Sequence, residues 1–236
     1  MSDDDLASFS DLWEQDKIHR YKPNPYQLRY HSSKARIVVA RAGHRSGKSA
    51  GACVELAMHM TGDYPKWWLE GGYRTYKGPI NVLIGIPEFG EHARIMEKRM
   101  SERIPGITDT SKWKRTKGQH GYYDRYVCLA TGSEAKVLTY KQDSISWTGS
   151  DLHFVWLDEP PPHSHFSEAW RGLADYGGTC LITCTPQREP WMYDLFDSGI
   201  MERRRRERGE YTDPSPLVDG VVGSSFENFA VPKQNL

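Results

Sequence analysis

The chain has 236 residues, enough for one large α/β domain or two small ones around a core that needs no disulfide staples. Its 31 Lys and Arg balance 31 Asp and Glu, so no global positive field draws it to nucleic acid or anionic lipid, and any such contact must be local. A hydrophobic share of 38% is modest, yet 8 Trp, 13 Tyr and 7 Phe supply the bulk that disordered chains lack; no apolar run approaches the roughly 18 residues of a membrane span, and the acidic start Met1-Ser2-Asp3-Asp4-Asp5 is the opposite of a secretory leader.

In chain order, Leu6, Phe9, Leu12 and Trp13 fall at helical spacing within an acidic stretch, which predicts a short amphipathic helix in an N-terminal extension through Arg20. Pro23 and Pro25 then force an extended turn, after which Gln27 to His31 can begin a helix. Arg36 to Ala40 is a short β-branched strand that runs into a glycine-containing loop, and the loop opens a helix carrying Cys53, Leu56, Ala57 and Met60. Asn81 to Ile86 reads as a buried strand, followed past Pro87 by a helix from about Gly90 to Arg103. Alternation through Tyr123, Tyr126, Cys128 and Ala130, a turn at Thr131-Gly132-Ser133 and resumption at Val137 and Leu138 predict an antiparallel hairpin. Leu152 to Leu157 and Thr179 to Cys184 are two further apolar strands with a helix over 164–174 between them. Strands alternating with helices, with polar residues gathered where strands end, predict a mostly parallel central sheet flanked by helices, with its site beyond the carboxyl edge and the hairpin as an addition. The four cysteines fit no zinc spacing and read as reduced structural thiols, with Cys180 and Cys184 on one strand face.

Three strand ends carry the chemistry. After the first strand, Ala42-Gly43-His44-Arg45-Ser46-Gly47-Lys48-Ser49 matches the phosphate-binding Walker A pattern, with Ala42 in place of its first glycine. Such a loop wraps main-chain N–H groups around a β-phosphate at a helix N-terminus, sends the Lys48 ammonium to the β and γ oxygens, and offers the Ser49 hydroxyl to Mg²⁺. Residues Gly43 to Ala50 are therefore the candidate nucleotide contacts. Phe154-Val155-Trp156-Leu157-Asp158-Glu159 fits a Walker B strand: Asp158 for the metal shell and Glu159 to align and deprotonate water, a group that an ATPase needs and a nucleotide kinase does not. At the third end, Thr185 and Gln187 are candidates for sensing a γ-phosphate, and a plain strand ended by Pro186 has the same composition.

These strand ends, in this order, together with Pro25-Tyr26-Gln27 upstream, resemble the ATPase domain of the large terminase subunit of tailed bacteriophages over nearly the whole chain. Trp147-Thr148-Gly149, Asp158-Glu159-Pro160-Pro161 and Thr183-Cys184-Thr185-Pro186 look like that family's segments. The resemblance implies a P-loop NTPase fold of the RecA-like kind over 21–228, ATP and Mg²⁺ as cofactors, adenine contacts from Gln27 and stacking from Tyr26 or Tyr21. It implies further a homo-oligomeric ring, or a monomer in isolation, that moves double-stranded DNA into an empty capsid beside a portal protein and a small terminase subunit, in the host cytoplasm and without a membrane. Where some members carry an arginine finger before the glycine, this chain has Trp147-Thr148, which leaves Arg45 in cis or Arg171 from a neighbouring subunit as the expected finger. Family members append a ribonuclease H-like nuclease; residues 229–236 leave no room for one, so no DNA cleavage is expected of this chain.

Other features have ordinary explanations beside functional ones. Lys112-Trp113-Lys114-Arg115-Thr116-Lys117 interleaves an aromatic with positive charge and suits either a DNA backbone or a solvated loop. Arg203 to Arg206, flanked by Glu202 and Glu207, suits an exposed helix or linker. His163-Ser164-His165 has no evident carboxylate or thiolate partner beyond Glu159 and Glu168 and suits a helix-entry loop better than a metal site, and Trp67-Trp68 suits core or an interface better than a stacking platform. Competing readings are a helicase-like translocase, which shares these motifs but in monomeric form needs a second core, a small-molecule kinase, which Glu159 argues against, and a scaffold with a dead phosphate loop, which intact Lys48, Ser49, Asp158 and Glu159 argue against.

Overall fold

A computed structural model of the chain describes residues 16–148, 151–185, 189–210 and 216–229. Eight strands form one sheet in the order β3-β4-β5-β2-β6-β7-β1-β8. Six of them are parallel: β1 (Ile37–Ala42), β2 (Asn81–Ile86), β5 (Glu134–Thr139), β6 (Phe154–Asp158), β7 (Thr179–Cys184) and β8 (Val218–Gly223). The central β6 and β7 are buried at every position, as expected for strands covered on both faces.

Two helical layers cover the sheet. On one face lie α1 (Pro25–His31), α2 (Lys48–Thr61), the short α3 (Lys66–Glu70) and α4 (Glu91–Arg103), whose buried Tyr26, Cys53, Trp68 and Met96 share one apolar cluster with Val82, Ile84 and Trp156. On the other lie α5 (His163–Gly172) and α6 (Pro190–Glu207), whose Ala169, Met192 and Phe196 pack with Val39, Val155 and Ile182. Trp68 is fully buried and Trp67 packs, partly buried, against the same cluster, so the tryptophan pair belongs to the core. All four cysteines are free and buried, and Cys180 and Cys184 lie in the same cluster on one face of β7.

Two departures from the sequence-based expectations have physical causes. The predicted hairpin of β4 (Tyr123–Cys128) with β5 is present and antiparallel, but β4 also pairs with β3 (Trp113–Lys117). The basic segment is therefore an edge strand and not a loop: Trp113 is core, while Arg115 and Lys117 lie over the Tyr123 ring. Charge on an edge strand blocks further pairing, which accounts for its composition without a ligand. Strand β8 is not evident from its Val-Asp-Gly-Val-Val-Gly sequence because that sequence is glycine-rich; Gly220 lies so close to α6 that an added Cβ would stand 2.8 Å from the Ile200 nitrogen. Ahead of residue 21, Ile18 is fully buried and the Lys17 ammonium donates to the Ser101 carbonyl, so this stretch packs against the domain. The helix expected at Leu6 to Trp13 lies outside the described residues.

The arginine run of α6 is used partly within the fold. Asp219 is wholly buried on β8; the Arg203 guanidinium donates to both its oxygens at 2.9 and 2.7 Å, Arg206 lies 3.2 Å away, and the Ser33 hydroxyl donates at 2.6 Å. That network ties α6, β8 and the segment before β1 together.

Candidate nucleotide site

Parallel strands place the β1, β6 and β7 ends at one edge of the sheet, and β7 lies between the other two. The loop after β1 turns into α2 through Gly47, which adopts φ +85° as the residue before the helix. A Cβ there would stand 2.8 Å from the Gln27 amide nitrogen, so both backbone conformation and space demand glycine. Arg45, also in the loop, adopts φ +61°.

The loop's carbonyls are engaged one after another, most of them by side chains from outside the loop. Gly43 O accepts from Lys48 Nζ at 3.2 Å, His44 O from the Ser225 hydroxyl, Arg45 O from Asn228 Nδ2 at 2.6 Å, Ser46 O from Asn24 Nδ2 at 3.1 Å, Gly47 O from Gln27 Nε2 at 2.7 Å and Lys48 O from the Tyr30 hydroxyl at 3.2 Å. A peptide whose carbonyl is held outward turns its N–H inward, so this bracing prepares an anion-binding concavity at the α2 N-terminus. Apart from Lys48 itself, the braces come from two directions: α1 and its cap supply Asn24, Gln27 and Tyr30, and the turn Ser225–Glu227 with the following Asn228 supplies Ser225 and Asn228. Arg29 clamps the two together, donating to both Glu227 oxygens at 3.0 and 2.9 Å.

Gln27, expected as an adenine contact, braces the loop in this structure. Its Oε1 accepts from Asn24 N at 2.9 Å and its Nε2 is given to Gly47 O, so both ends of the amide are used inside the fold. Tyr26 is fully buried between the Tyr30 ring and Gly223 and presents no face for a base, while the partly buried Tyr21 is bonded through its hydroxyl to His31 Nε2 at 2.9 Å. The helix capping box Asn24/Gln27 satisfies α1 itself, which is why a glutamine three residues after an asparagine stands here.

The Walker B residues meet the loop directly. The Ser49 hydroxyl donates to Asp158 Oδ1 at 2.7 Å, and the Thr183 hydroxyl donates to the same oxygen at 2.8 Å. Glu159 follows at φ +67°, with its Oε2 accepting from the Thr185 N–H at 3.0 Å and the Thr185 hydroxyl at 2.8 Å. The Tyr140 hydroxyl lies 3.0, 3.1 and 2.8 Å from the carbonyls of Gly85, Asp158 and Glu159, fixing the turn that aims the glutamate. Burial lowers the pKa of the Lys48 ammonium, while Glu159 and Asp158 oppose that shift. Two further groups carry no sequence signal: Tyr140, which sits at the end of a strand with no motif of its own, and Arg99 of α4, whose Nη1 lies 3.6 Å from Asp158 Oδ2.

The residues fit a nucleoside triphosphate with Mg²⁺. The Ser46 hydroxyl is buried without a hydrogen-bond partner inside the braced loop, and Lys48 has only the Gly43 carbonyl as a described hydrogen-bond acceptor. One hydroxyl and one carboxylate make a sparse, all-oxygen donor set, the kind Mg²⁺ accepts because it retains waters and takes phosphate oxygens. No group of three His, Cys, Asp or Glu among the described residues could hold a metal unaided.

The other candidates fall apart from this site. Arg171 is at the end of α5, where Gly172 O accepts from Leu152 N before β6 begins, so it lies at the opposite edge of the sheet from this chain's phosphate loop and pairs with Glu168 at 2.6 Å. His165 Nε2 contacts the Gln142 carbonyl at 2.8 Å, a structural bond. Gly149 and Gln187 lie outside the described residues.

Braced phosphate loop, Walker B carboxylates and parallel sheet define a P-loop NTPase domain. A family model described as terminase large subunit, T4likevirus-type, N-terminal, matches residues 39–220, and the chain belongs to that family. It is similar to the terminase large subunit of Salmonella phage P22, 24% identical over 222 residues covering 79% of this chain and 44% of that protein. It is also similar to the terminase large subunit of Thermus phage G20c, 30% identical over 190 residues covering 76% and 37%. The chain thus spans less than half the length of the curated relatives it matches. Among solved structures, the large terminase ATPase domain of Thermus phage P74-26 superposes with a TM-score of 0.63 at 22% identity, covering 89% of this chain and 83% of that one. A large terminase from a thermophilic bacteriophage, solved in complex with ADP, superposes with a TM-score of 0.54 at 11% identity, covering 94% and 47%.

Proposed function

We propose that this chain is the ATPase motor domain of a viral DNA-packaging terminase, hydrolysing ATP with Mg²⁺ to drive duplex DNA into a procapsid. The observation that carries the catalytic part is the convergence of Lys48, Ser49, Asp158 and Glu159 on one braced loop. Main-chain N–H groups and Lys48 would hold the phosphates, and Glu159 would orient a water against the terminal phosphorus and accept its proton. Ser49 and Asp158 would hold Mg²⁺, which when bound would neutralise phosphate charge. Family membership supports the packaging role, and with it double-stranded DNA, a portal protein and a small terminase subunit as partners, in a homo-oligomeric ring in the host cytoplasm. No helix among the described residues is long and apolar enough to cross a membrane. Sites for these partners are not needed for the chemistry, and Arg171 at the far edge of the sheet suits a contact between copies.

The test is ATP hydrolysis by the wild type and Glu159→Gln, with and without duplex DNA, across protein concentration. Turnover that DNA stimulates and that Glu159→Gln abolishes supports the motor; DNA-insensitive transfer of phosphate to a small acceptor would overturn it.

A further inference from the structure

The chain lacks arginine at the position before Gly149 that some relatives use, yet a guanidinium stands in the site. Arg99 is on α4, the helix that follows β2; β2 lies beside β6 in the sheet, and this adjacency carries Arg99 to the end of β6. The two oxygens of Asp158 are used differently. Oδ1 already accepts from Ser49 and Thr183, whereas Oδ2 faces Arg99 Nη1 at 3.6 Å. That separation exceeds the roughly 2.7–2.9 Å of a charge-assisted hydrogen bond, so the pair is held by charge and not by a directed bond. The Arg99 side chain is 38% exposed, which leaves it room to change rotamer. Its positive charge acts against the Lys48 ammonium, which Asp158 and Glu159 favour.

A cation bound through Ser49 and Asp158 would take over neutralisation of that carboxylate and repel the guanidinium. The other anion entering the same volume is the terminal phosphate of the nucleotide. We propose that Arg99 is a catalytic residue acting in cis: it pairs with Asp158 before nucleotide binds and contacts the terminal phosphoryl group of ATP during hydrolysis. This assignment rests on the ATPase reading above. The bond changes remain those of hydrolysis: a water oxygen bonds to phosphorus, the bridging P–O bond breaks to release ADP, and Glu159 takes the proton. Arg99 changes no bond and offsets charge on the equatorial oxygens as it spreads in the transition state.

The experiment compares wild type, Arg99→Ala and Arg99→Lys in steady-state ATP hydrolysis, and measures their affinities for ADP alone and for ADP with aluminium fluoride. Expected for Arg99→Ala are a kcat loss of about 10³, the lower range for an arginine finger, and a loss of fluoride-complex affinity with ADP affinity nearly unchanged. Arg99→Lys should recover part of the kcat. Mixing Arg99→Ala with Glu159→Gln should restore nothing, because each copy then lacks one cis group; recovery in the mixture would overturn the cis assignment. Unchanged kcat, or equal weakening of ADP and its fluoride complex, would overturn a catalytic role. Wild-type protein that neither hydrolyses ATP nor binds ADP would overturn the ATPase reading itself.

Discussion

The Thr185 hydroxyl and backbone N–H both donate to a single oxygen of Glu159, at 2.8 and 3.0 Å, so the end of β7 aims the carboxylate at the end of β6. The bond couples two strand ends that a sequence shows as separate motifs. Thr185 is 5% exposed, and its position is fixed by the strand that ends one residue earlier.

Replacing Thr185 by Val keeps the shape of the side chain and the backbone donor while removing the hydroxyl donor. A less well aimed Glu159 should lower kcat by about tenfold, against about 10² to 10⁴ for Glu159→Gln, where the base itself is lost. ADP affinity should be unaltered in both, since neither carries the phosphate loop. Steady-state kinetics with calorimetric ADP binding checks this, and a higher kcat in Thr185→Val would mean that the bond restrains the glutamate.

Bracing of the phosphate loop gives a test that separates two roles for Gln27. If the amide serves only to turn the Gly47 carbonyl outward, Gln27→Ala weakens ADP and inorganic tripolyphosphate by the same factor, expected to be about tenfold, or about 1.4 kcal/mol. A residue that reads the base would weaken ADP and leave tripolyphosphate alone. Titration of both ligands against both proteins distinguishes them.

The local character of each strand end is legible in the sequence because backbone pattern and side-chain chemistry coincide there. A β-branched run, then Gly47-Lys48-Ser49, then a helix is one continuous piece of chain, as is Phe154 to Glu159. What is not legible depends on contacts across the sheet. Arg99 lies 59 residues from Asp158 in sequence and becomes its neighbour only through the order of β2 and β6. Tyr140 likewise acts through carbonyls of Gly85 and Glu159, which no spacing rule connects. Tyr26 and Gln27 point to the right region without revealing their role there, because a ring and an amide beside a phosphate loop suit a base equally well until burial and hydrogen-bond partners are known. Strands β3 and β8 are hidden by charge and by glycine, features that edge strands tolerate.

Asp219 should be needed for stability and not for nucleotide binding. It is 0% exposed and bonded to Arg203 and Ser33, so Asp219→Ala removes one member of a buried network and leaves a guanidinium short of its anion. A destabilisation of about 3–5 kcal/mol is expected from breaking such a pair. Urea unfolding reads the loss, and ADP affinity measured well below the transition should match the wild type.

Acidification should weaken the fold through a buried cluster that joins α2 to α1. Glu55 sits between two histidine rings, His31 Nδ1 at 2.7 Å and His59 Nε2 at 3.5 Å. Burial opposes its ionisation, but hydrogen bonds and charge from both rings outweigh it and bring the carboxyl to about 2. Burial likewise lowers the pKa of His59, partly countered by Glu55. The signs agree. Below the ordinary histidine value of about 6.5 the unfolded chain binds a proton that folded His59 resists, so stability falls as pH falls; Glu55 adds a second loss as pH drops from the ordinary carboxylate value of about 4.3 towards 2. His59→Gln can keep a bond to the Tyr64 hydroxyl, which lies 3.1 Å from His59 Nδ1, and no longer titrates. Melting temperature between about pH 7 and about pH 5 should therefore decline less steeply in His59→Gln than in the wild type, and parallel curves would place the acid sensitivity elsewhere.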